Sequence, residues 1–183
     1  MARRNSRNAA GKVALCGVLG ALAVVLMLAG EIIPFATFCC PVLVMFLLIP
    51  VMQECGRKMG WVWYVAVCLL SILFTMSNPE ATLIFVFLGY YPLIRAYFAR
   101  IRPAFFRTGV KLLYFNGAVA LAYGLMIAVL KLDAVMQEFQ ESAAWMLVLM
   151  ILLANVCFLL VERVLMGFEV LYIVKIRRLL HLQ

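Results

Sequence analysis

The side chains that most often carry out catalysis or bind metals are few in this sequence and widely separated. The single histidine is His181, two residues from the end of the 183-residue chain. This leaves no basis for the usual histidine-dependent acid–base, nucleophilic or zinc chemistry. No G-x-S-x-G, H-E-x-x-H or G-x-x-x-x-G-K motif is present. The sequence therefore predicts a protein that is not an enzyme and that holds no metal ion or other cofactor.

The six cysteines show no spacing typical of a metal site or a disulfide framework. They are Cys16, Cys39, Cys40, Cys55, Cys68 and Cys157. None forms a C-x-x-C pair, and neighbouring residues such as Cys39 and Cys40 point to different faces of a helix. We interpret all six as small apolar residues.

The elements that must position any functional side chain are long apolar segments. The chain is 68% hydrophobic and 13% charged, more apolar than a soluble domain of this size. Six segments approach the length of about 20 residues that a membrane-spanning helix needs: 13–33, 36–52, 61–77, 81–98, 112–130 and 143–161. We predict an all-α fold, a single domain over 1–183 in which six transmembrane helices form one bundle. Residues 162–183 are predicted to extend the last helix as an amphipathic segment in the cytoplasm.

The distribution of positive charge predicts which way the bundle faces. The segment 95–111, RAYFARIRPAFFRTGVK, carries five cations and no acid between two apolar spans. All 16 Lys and Arg residues except Lys131 fall in this segment or in 1–12, 53–60 and 162–183. Basic loops are retained on the cytoplasmic side, so both termini are predicted to be cytoplasmic in a multi-pass cell-membrane protein.

The basic segments predict contact with anionic headgroups at the cytoplasmic face, and the net charge of +8 does not indicate nucleic-acid binding. The 95–111 segment fits either a lipid-facing loop that sets the topology or a docking surface for a cytoplasmic partner. On the other side, the predicted external segments are enriched in acids. These are Glu31, Glu80, Asp133, Glu138 and Glu141. They fit a solvated outer face or a preference for cationic or zwitterionic ligands.

The first span carries small residues on two neighbouring stripes. Ala14, Gly17 and Ala21 form one stripe, and Gly20 and Ala23 form the other. Small residues four apart let another helix approach closely in lipid. The stripes therefore predict close helix packing, either inside the bundle or against a partner protein.

Polar residues within the later spans predict contacts between helices. Asn116 in the fifth span needs a hydrogen-bond partner inside the bundle, and Asn155 lies near the middle of the sixth span. Glu162 and Arg163 are adjacent and point in different directions, so their partners should lie on other helices or in solvent. Pro41 in the second span predicts a late helix start or a kink.

Taken together, these features resemble the substrate-binding membrane subunit, or S component, of energy-coupling factor (ECF) transporters. The chain is small, has six predicted spans with cytoplasmic termini, and has a Pro-containing segment after its first external loop. Its first span reads ALCGVLGALAVVL, similar to the Ala-x-x-x-Ala pattern of that family's first helix. Gly17 and Ala21 occupy the two small positions, with Gly17 departing from the usual alanine.

The resemblance implies a function and a set of partners. The S component captures a vitamin-like micronutrient at its external face, then associates with a transmembrane coupling subunit and a pair of ATPases. The implied location is the bacterial cytoplasmic membrane. Ala14, Gly17 and Ala21 would contact the coupling subunit, and the pocket for the small-molecule solute would lie in the outer half of the bundle.

Four polar residues are candidates for the solute pocket, although polar residues near helix ends also have structural roles. They are Glu31, Asn78, Glu80 and Tyr123. Asn78 and Glu80 also suit helix capping, and Tyr123 also suits core packing. The alternative function is a small membrane scaffold or assembly protein that binds other membrane proteins and has no small-molecule ligand.

Overall fold

Seven α-helices form the bundle, as seen in a computed structural model that describes residues 2–33, 36–75, 79–98, 104–128 and 144–176. They are α1 (Ala2–Ile32), α2 (Ala36–Cys55), α3 (Arg57–Phe74), α4 (Pro79–Leu88), α5 (Tyr91–Phe98), α6 (Ala104–Ala128) and α7 (Ala144–Leu171). A π-helical segment, Tyr172–Ile176, continues α7. The described ranges contain no β-strand.

Within the described ranges, six segments are long and apolar enough to cross a membrane. They are Ala10–Gly30, Ala36–Cys55, Arg57–Phe74, Pro79–Phe98, Phe105–Ala128 and Trp145–Lys175. The fourth contains both α4 and α5, which are separated by a turn at Gly89 and Tyr90. The predicted all-α fold with six membrane-spanning helices is confirmed, and the chain is a multi-pass membrane protein.

The helices extend beyond several of the predicted apolar runs. The third span begins at Arg57 rather than at residue 61, the fifth at Phe105 rather than 112, and the sixth continues to Lys175 rather than ending at 161. Lysine, arginine and glutamate are good helix formers, so a charge ends an apolar run without ending the helix. The break between α2 and α3 occurs instead at Gly56, whose φ of 86° is readily adopted only by glycine.

Two prolines lie inside α2, and neither begins the helix. The helix begins at Ala36, so Pro41 does not mark its start, and Pro50 also lies inside the helix. Pro41 is among the most completely buried side chains of the protein. Backbone carbonyls freed by a proline are tolerated in a membrane helix when they are buried in protein.

The first core cluster packs the helices α1, α2, α3 and α4 around large aromatic side chains. Trp63 and Tyr64 of α3 pack with Phe85 of α4 and with Ala23 and Met27 of α1, among others. The indole Nε1 of Trp63 donates a hydrogen bond to the carbonyl of Cys16 at 3.0 Å. This contact ties α3 directly to the α1 backbone.

The second core cluster attaches α7 to α2, α5 and α6. Tyr91 of α5 is fully buried, with its ring 5.8 Å from Tyr114 and 5.1 Å from Phe158 of α7. Phe158 also stacks on Phe115 of α6 at 4.6 Å. The aromatic contacts that α7 itself makes in this cluster involve Phe158 and Phe168, both in the second half of the helix. In its first half, every side chain from Val148 to Leu153 is exposed.

Candidate functional site

Two of the four predicted solute-binding residues come together between α4 and α6. Glu80 lies in the first turn of α4, and Tyr123 lies in the C-terminal half of α6. The Tyr123 hydroxyl donates a hydrogen bond to Oε1 of Glu80 at 2.6 Å, and both side chains are half-buried. A hydrogen bond to an ionised carboxylate is shorter and stronger than one between neutral groups.

The side chains of the other two predicted residues lie outside the described part of the structure. Glu31 is in the last turn of α1, and its side chain lies outside the described part of the structure. Asn78 lies outside the described residues altogether. Of the four predicted ligands, the structure thus brings Glu80 and Tyr123 together in one polar contact.

Buried hydroxyl groups lie next to this contact at the junction of α3 and α4. The hydroxyl of Thr75 donates to the Ser71 carbonyl at 2.5 Å and also contacts the hydroxyl of Thr82. All three side chains are buried. They hold the end of α3 against the start of α4, two residues beyond Glu80, and so help to fix the backbone that carries the Glu80 carboxylate.

The two small-residue stripes of α1 have opposite environments. Gly20 and Ala23 face the bundle: a Cβ on Gly20 would lie 3.4 Å from Trp63 Nε1, and Ala23 is fully buried. Ala14, Gly17 and Ala21 are exposed. A Cβ built on Gly17 would have no atom within 4 Å among the described residues. Close packing inside the bundle therefore explains the second stripe and not the first.

The opposite end of the bundle holds a polar network that the sequence analysis did not assign. We define the basic end as the end that contains Lys12, Arg57 and Arg95. There, Arg95 of α5 forms an ion pair with Glu169 of α7, and Gln53 of α2 donates to the same carboxylate at 3.0 Å. Three helices are thus joined through one acidic side chain.

Two further polar contacts fix α7 in this half of the bundle. Lys111 of α6 forms an ion pair with Glu162, and both residues are buried. The hydroxyl of Tyr172 donates to Oε1 of Glu54 at 3.4 Å, and both of these residues are also buried. Burying a charge away from water is costly unless it is paired, so these side chains are placed as pairs.

A signal for this network was present in the sequence. Glu162, Leu165, Glu169 and Tyr172 follow the i, i+3, i+7, i+10 spacing of one helix face. The expectation that Glu162 has its partner on another helix is confirmed by Lys111. The need of Asn116 for a partner is also met, because Asn116 and Asn155 exchange two hydrogen bonds of 2.8 and 3.1 Å.

A narrow crevice at the basic end is too small for a nutrient molecule. It is lined by Ile49, Met52, Gln53, Pro92, Arg95 and Glu169. Its volume of about 10 Å³ is enough for about one water molecule. This crevice does not correspond to the solute pocket that the resemblance predicts in the half containing Glu80.

Comparison with known proteins assigns this chain to no family and gives it no function. The chain matches no family model, no curated protein and no solved structure. The structure itself defines the class, a multi-pass helical membrane protein with an outward-facing small-residue stripe on its first helix.

Proposed function

We propose that this protein is the substrate-binding membrane subunit of an ECF-type, ATP-driven importer of a vitamin-like micronutrient. In this proposal it works in the bacterial cytoplasmic membrane with both termini in the cytoplasm. A transmembrane coupling subunit and a pair of ATPases are its partners, and ATP hydrolysis in those partners supplies the energy. The chain itself carries out no chemical step and binds no nucleic acid.

The outward orientation of Ala14, Gly17 and Ala21 is the observation that carries the proposal. A glycine costs helix stability relative to alanine, and no described residue of the bundle lies close enough to Gly17 to require its small size. Helices in lipid associate through van der Waals contact, which small residues allow at short range. A partner helix on this face would give the small side chains a function.

Association with the partners tests the proposed contact face. Gly17→Leu places a large side chain on the stripe and should weaken co-purification with the coupling subunit and ATPases at least about tenfold, the equivalent of about 1.4 kcal/mol. Gly117→Leu is the matched control, because Gly117 is also exposed and helical, and a Cβ there would have no described atom within 4 Å. Unchanged association in Gly17→Leu would overturn the assignment of this face.

Solute binding is tested separately at the Glu80–Tyr123 contact. Native mass spectrometry of the purified protein should show a retained small molecule that fixes the substrate class. Glu80→Gln and Tyr123→Phe should each weaken its binding about tenfold, since a hydrogen bond to a charged group contributes about 1.5–3 kcal/mol. Tyr97→Phe, on an exposed tyrosine at the basic end, should have no effect.

A membrane scaffold without a solute is the second candidate function. One observation favours it: Tyr123 already satisfies Glu80, as two residues with a structural role would do. The scaffold shares the Gly17→Leu result, so that experiment does not separate the two functions. Saturable binding of a water-soluble nutrient together with co-purifying ATPases supports the importer, and a stable membrane partner without either supports the scaffold.

A further inference from the structure

Two cysteine thiols from different helices meet at the basic end of the bundle. Cys16 of α1 and Cys55, the last residue of α2, are 39 positions apart in sequence, yet their Sγ atoms are 3.2 Å apart. Cys16 is buried and Cys55 is half-buried. The Cys55 thiol also donates to the carbonyl of Lys12 at 3.6 Å. Their spacing matches no metal-site or disulfide motif, so from the sequence both are interpreted as small apolar residues.

The approach of these sulfur atoms is close to that needed for a covalent bond. A disulfide has an S–S distance of about 2.05 Å, so the two atoms must move about 1.2 Å closer. Cys16 lies inside a long helix and its carbonyl accepts the Trp63 indole, which restricts its backbone. Cys55 is followed by Gly56, whose Cβ position is open. The movement that brings the two sulfur atoms together is therefore expected at the end of α2 and in the turn to α3.

We propose that Cys16 and Cys55 form a reversible disulfide that links α1 to the end of α2. The step is a two-electron oxidation: each thiol gives up one proton and one electron, and one S–S bond forms. An azo oxidant such as diamide takes up both protons and both electrons to become a hydrazine. A peroxide would take them up with the release of water. A dithiol reductant reverses the reaction by thiol–disulfide exchange.

The link would restrain α1 without covering the exposed stripe. Cys16 faces the bundle, whereas its neighbour Gly17 faces outward. Oxidation would thus fix the helix that carries Ala14, Gly17 and Ala21 while leaving those residues accessible. Disulfides in reducing compartments are transient and commonly redox-sensing, so in the proposed orientation this pair is a sensor rather than a permanent bridge. The disulfide itself rests on the thiol geometry and is independent of the proposed transport function, whereas the sensing role rests on the proposed cytoplasmic location of the basic end.

Peptide mass spectrometry of the full-length protein in detergent tests the proposal. Diamide treatment, followed by alkylation of remaining thiols, should yield a peptide pair joined through Cys16 and Cys55, about 2 Da lighter than the two reduced peptides. Dithiothreitol should restore both thiols. Cys16→Ser and Cys55→Ser should each abolish the linked product, and Cys157→Ser should retain it, because Cys157 is exposed on a different helix.

A second measurement keeps the result interpretable if a serine variant folds poorly. A bifunctional thiol reagent should link Cys16 to Cys55 within one chain of the unaltered protein. If that link forms but diamide gives no disulfide, the thiols are close and the proposed oxidation is wrong. If diamide instead oxidises exposed Cys157 and leaves Cys16 and Cys55 unlinked, or joins them only between two chains, the proposal is overturned.

Discussion

Removing one partner of the buried Lys111–Glu162 ion pair should destabilise the protein strongly. The side chains of these residues are only 9% and 8% exposed, and the pair joins α6 to α7. Loss of one member leaves the other charge buried without compensation, at a cost of about 3–5 kcal/mol. We therefore expect Lys111→Met and Glu162→Gln each to lower the free energy of unfolding by about this amount.

Replacing both members should cost less than replacing either one. Two apolar side chains of similar size leave no charge to desolvate, and such replacements of buried pairs are often neutral or stabilising by about 1–4 kcal/mol. The double variant Lys111→Met/Glu162→Met should therefore be more stable than both single variants. This non-additivity distinguishes a desolvated ion pair from two charges that reach water independently.

Unfolding in mixed micelles with increasing sodium dodecyl sulfate, followed by tryptophan fluorescence, measures these free energies. Arg163→Met is the matched control, since Arg163 is next to Glu162 in sequence but exposed; it should shift stability by less than about 0.5 kcal/mol. If Lys111→Met costs less than about 1 kcal/mol and the double variant is no milder, the pair is hydrated and the burial reasoning is refuted.

Three further outcomes are expected. Gly30→Ala should lower the free energy of unfolding by about 1–3 kcal/mol, because the added Cβ would lie 2.9 Å from the Cβ of Cys40 on α2. Gly17→Ala should instead raise the free energy of unfolding by up to about 1 kcal/mol. Equal effects of the two variants in the same titration would contradict this packing. Ser71→Ala should leave stability unchanged or raise it by about 1 kcal/mol, because its buried Oγ has no hydrogen-bond partner among the described residues; a clear loss would show that the hydroxyl is paired. The predicted orientation is tested by labelling in a background without reactive native thiols. A cysteine that replaces exposed Lys58 should react with an impermeant maleimide only from the cytoplasm, and a cysteine that replaces Lys131 should react only from outside. The reverse pattern would overturn the predicted orientation of the bundle.

Hydrophobic runs predicted the existence of the six spans much better than their ends. Run length and apolar content are local properties, so 36–52 and 81–98 lie close to the observed Ala36–Cys55 and Pro79–Phe98. The last helix was predicted to continue beyond its apolar run, which ends at 161, and it does continue through Glu162 and Glu169. Those charges are acceptable there because Lys111 and Arg95 lie opposite, on other helices. Such pairing depends on tertiary contact, which the local pattern does not contain.

The same limit applies to the α1 stripes. Both stripes consist of small residues, so composition favours close packing at each and does not say which one faces the bundle. The deciding neighbour of the inner stripe is Trp63, whose indole lies against Gly20 and bonds the α1 backbone. Likewise, Glu80 and Tyr123 could each be selected for polarity, but their 2.6 Å contact follows only from the packing of α4 on α6.

Among the described residues, the contacts of α7 are concentrated in one half of the helix. Asn116 pairs with Asn155 and Lys111 with Glu162, so α6 and α7 run antiparallel. Moving along α6 from Asn116 to Tyr123 therefore corresponds to moving along α7 from Asn155 into its exposed first half. The buried polar and aromatic contacts of α7 lie at the opposite, basic end. If Glu80 and Tyr123 bind a solute, as proposed, the solute lies beside the part of α7 whose side chains from Val148 to Leu153 are exposed, whereas the ion pairs with Lys111 and Arg95 attach α7 at the other end.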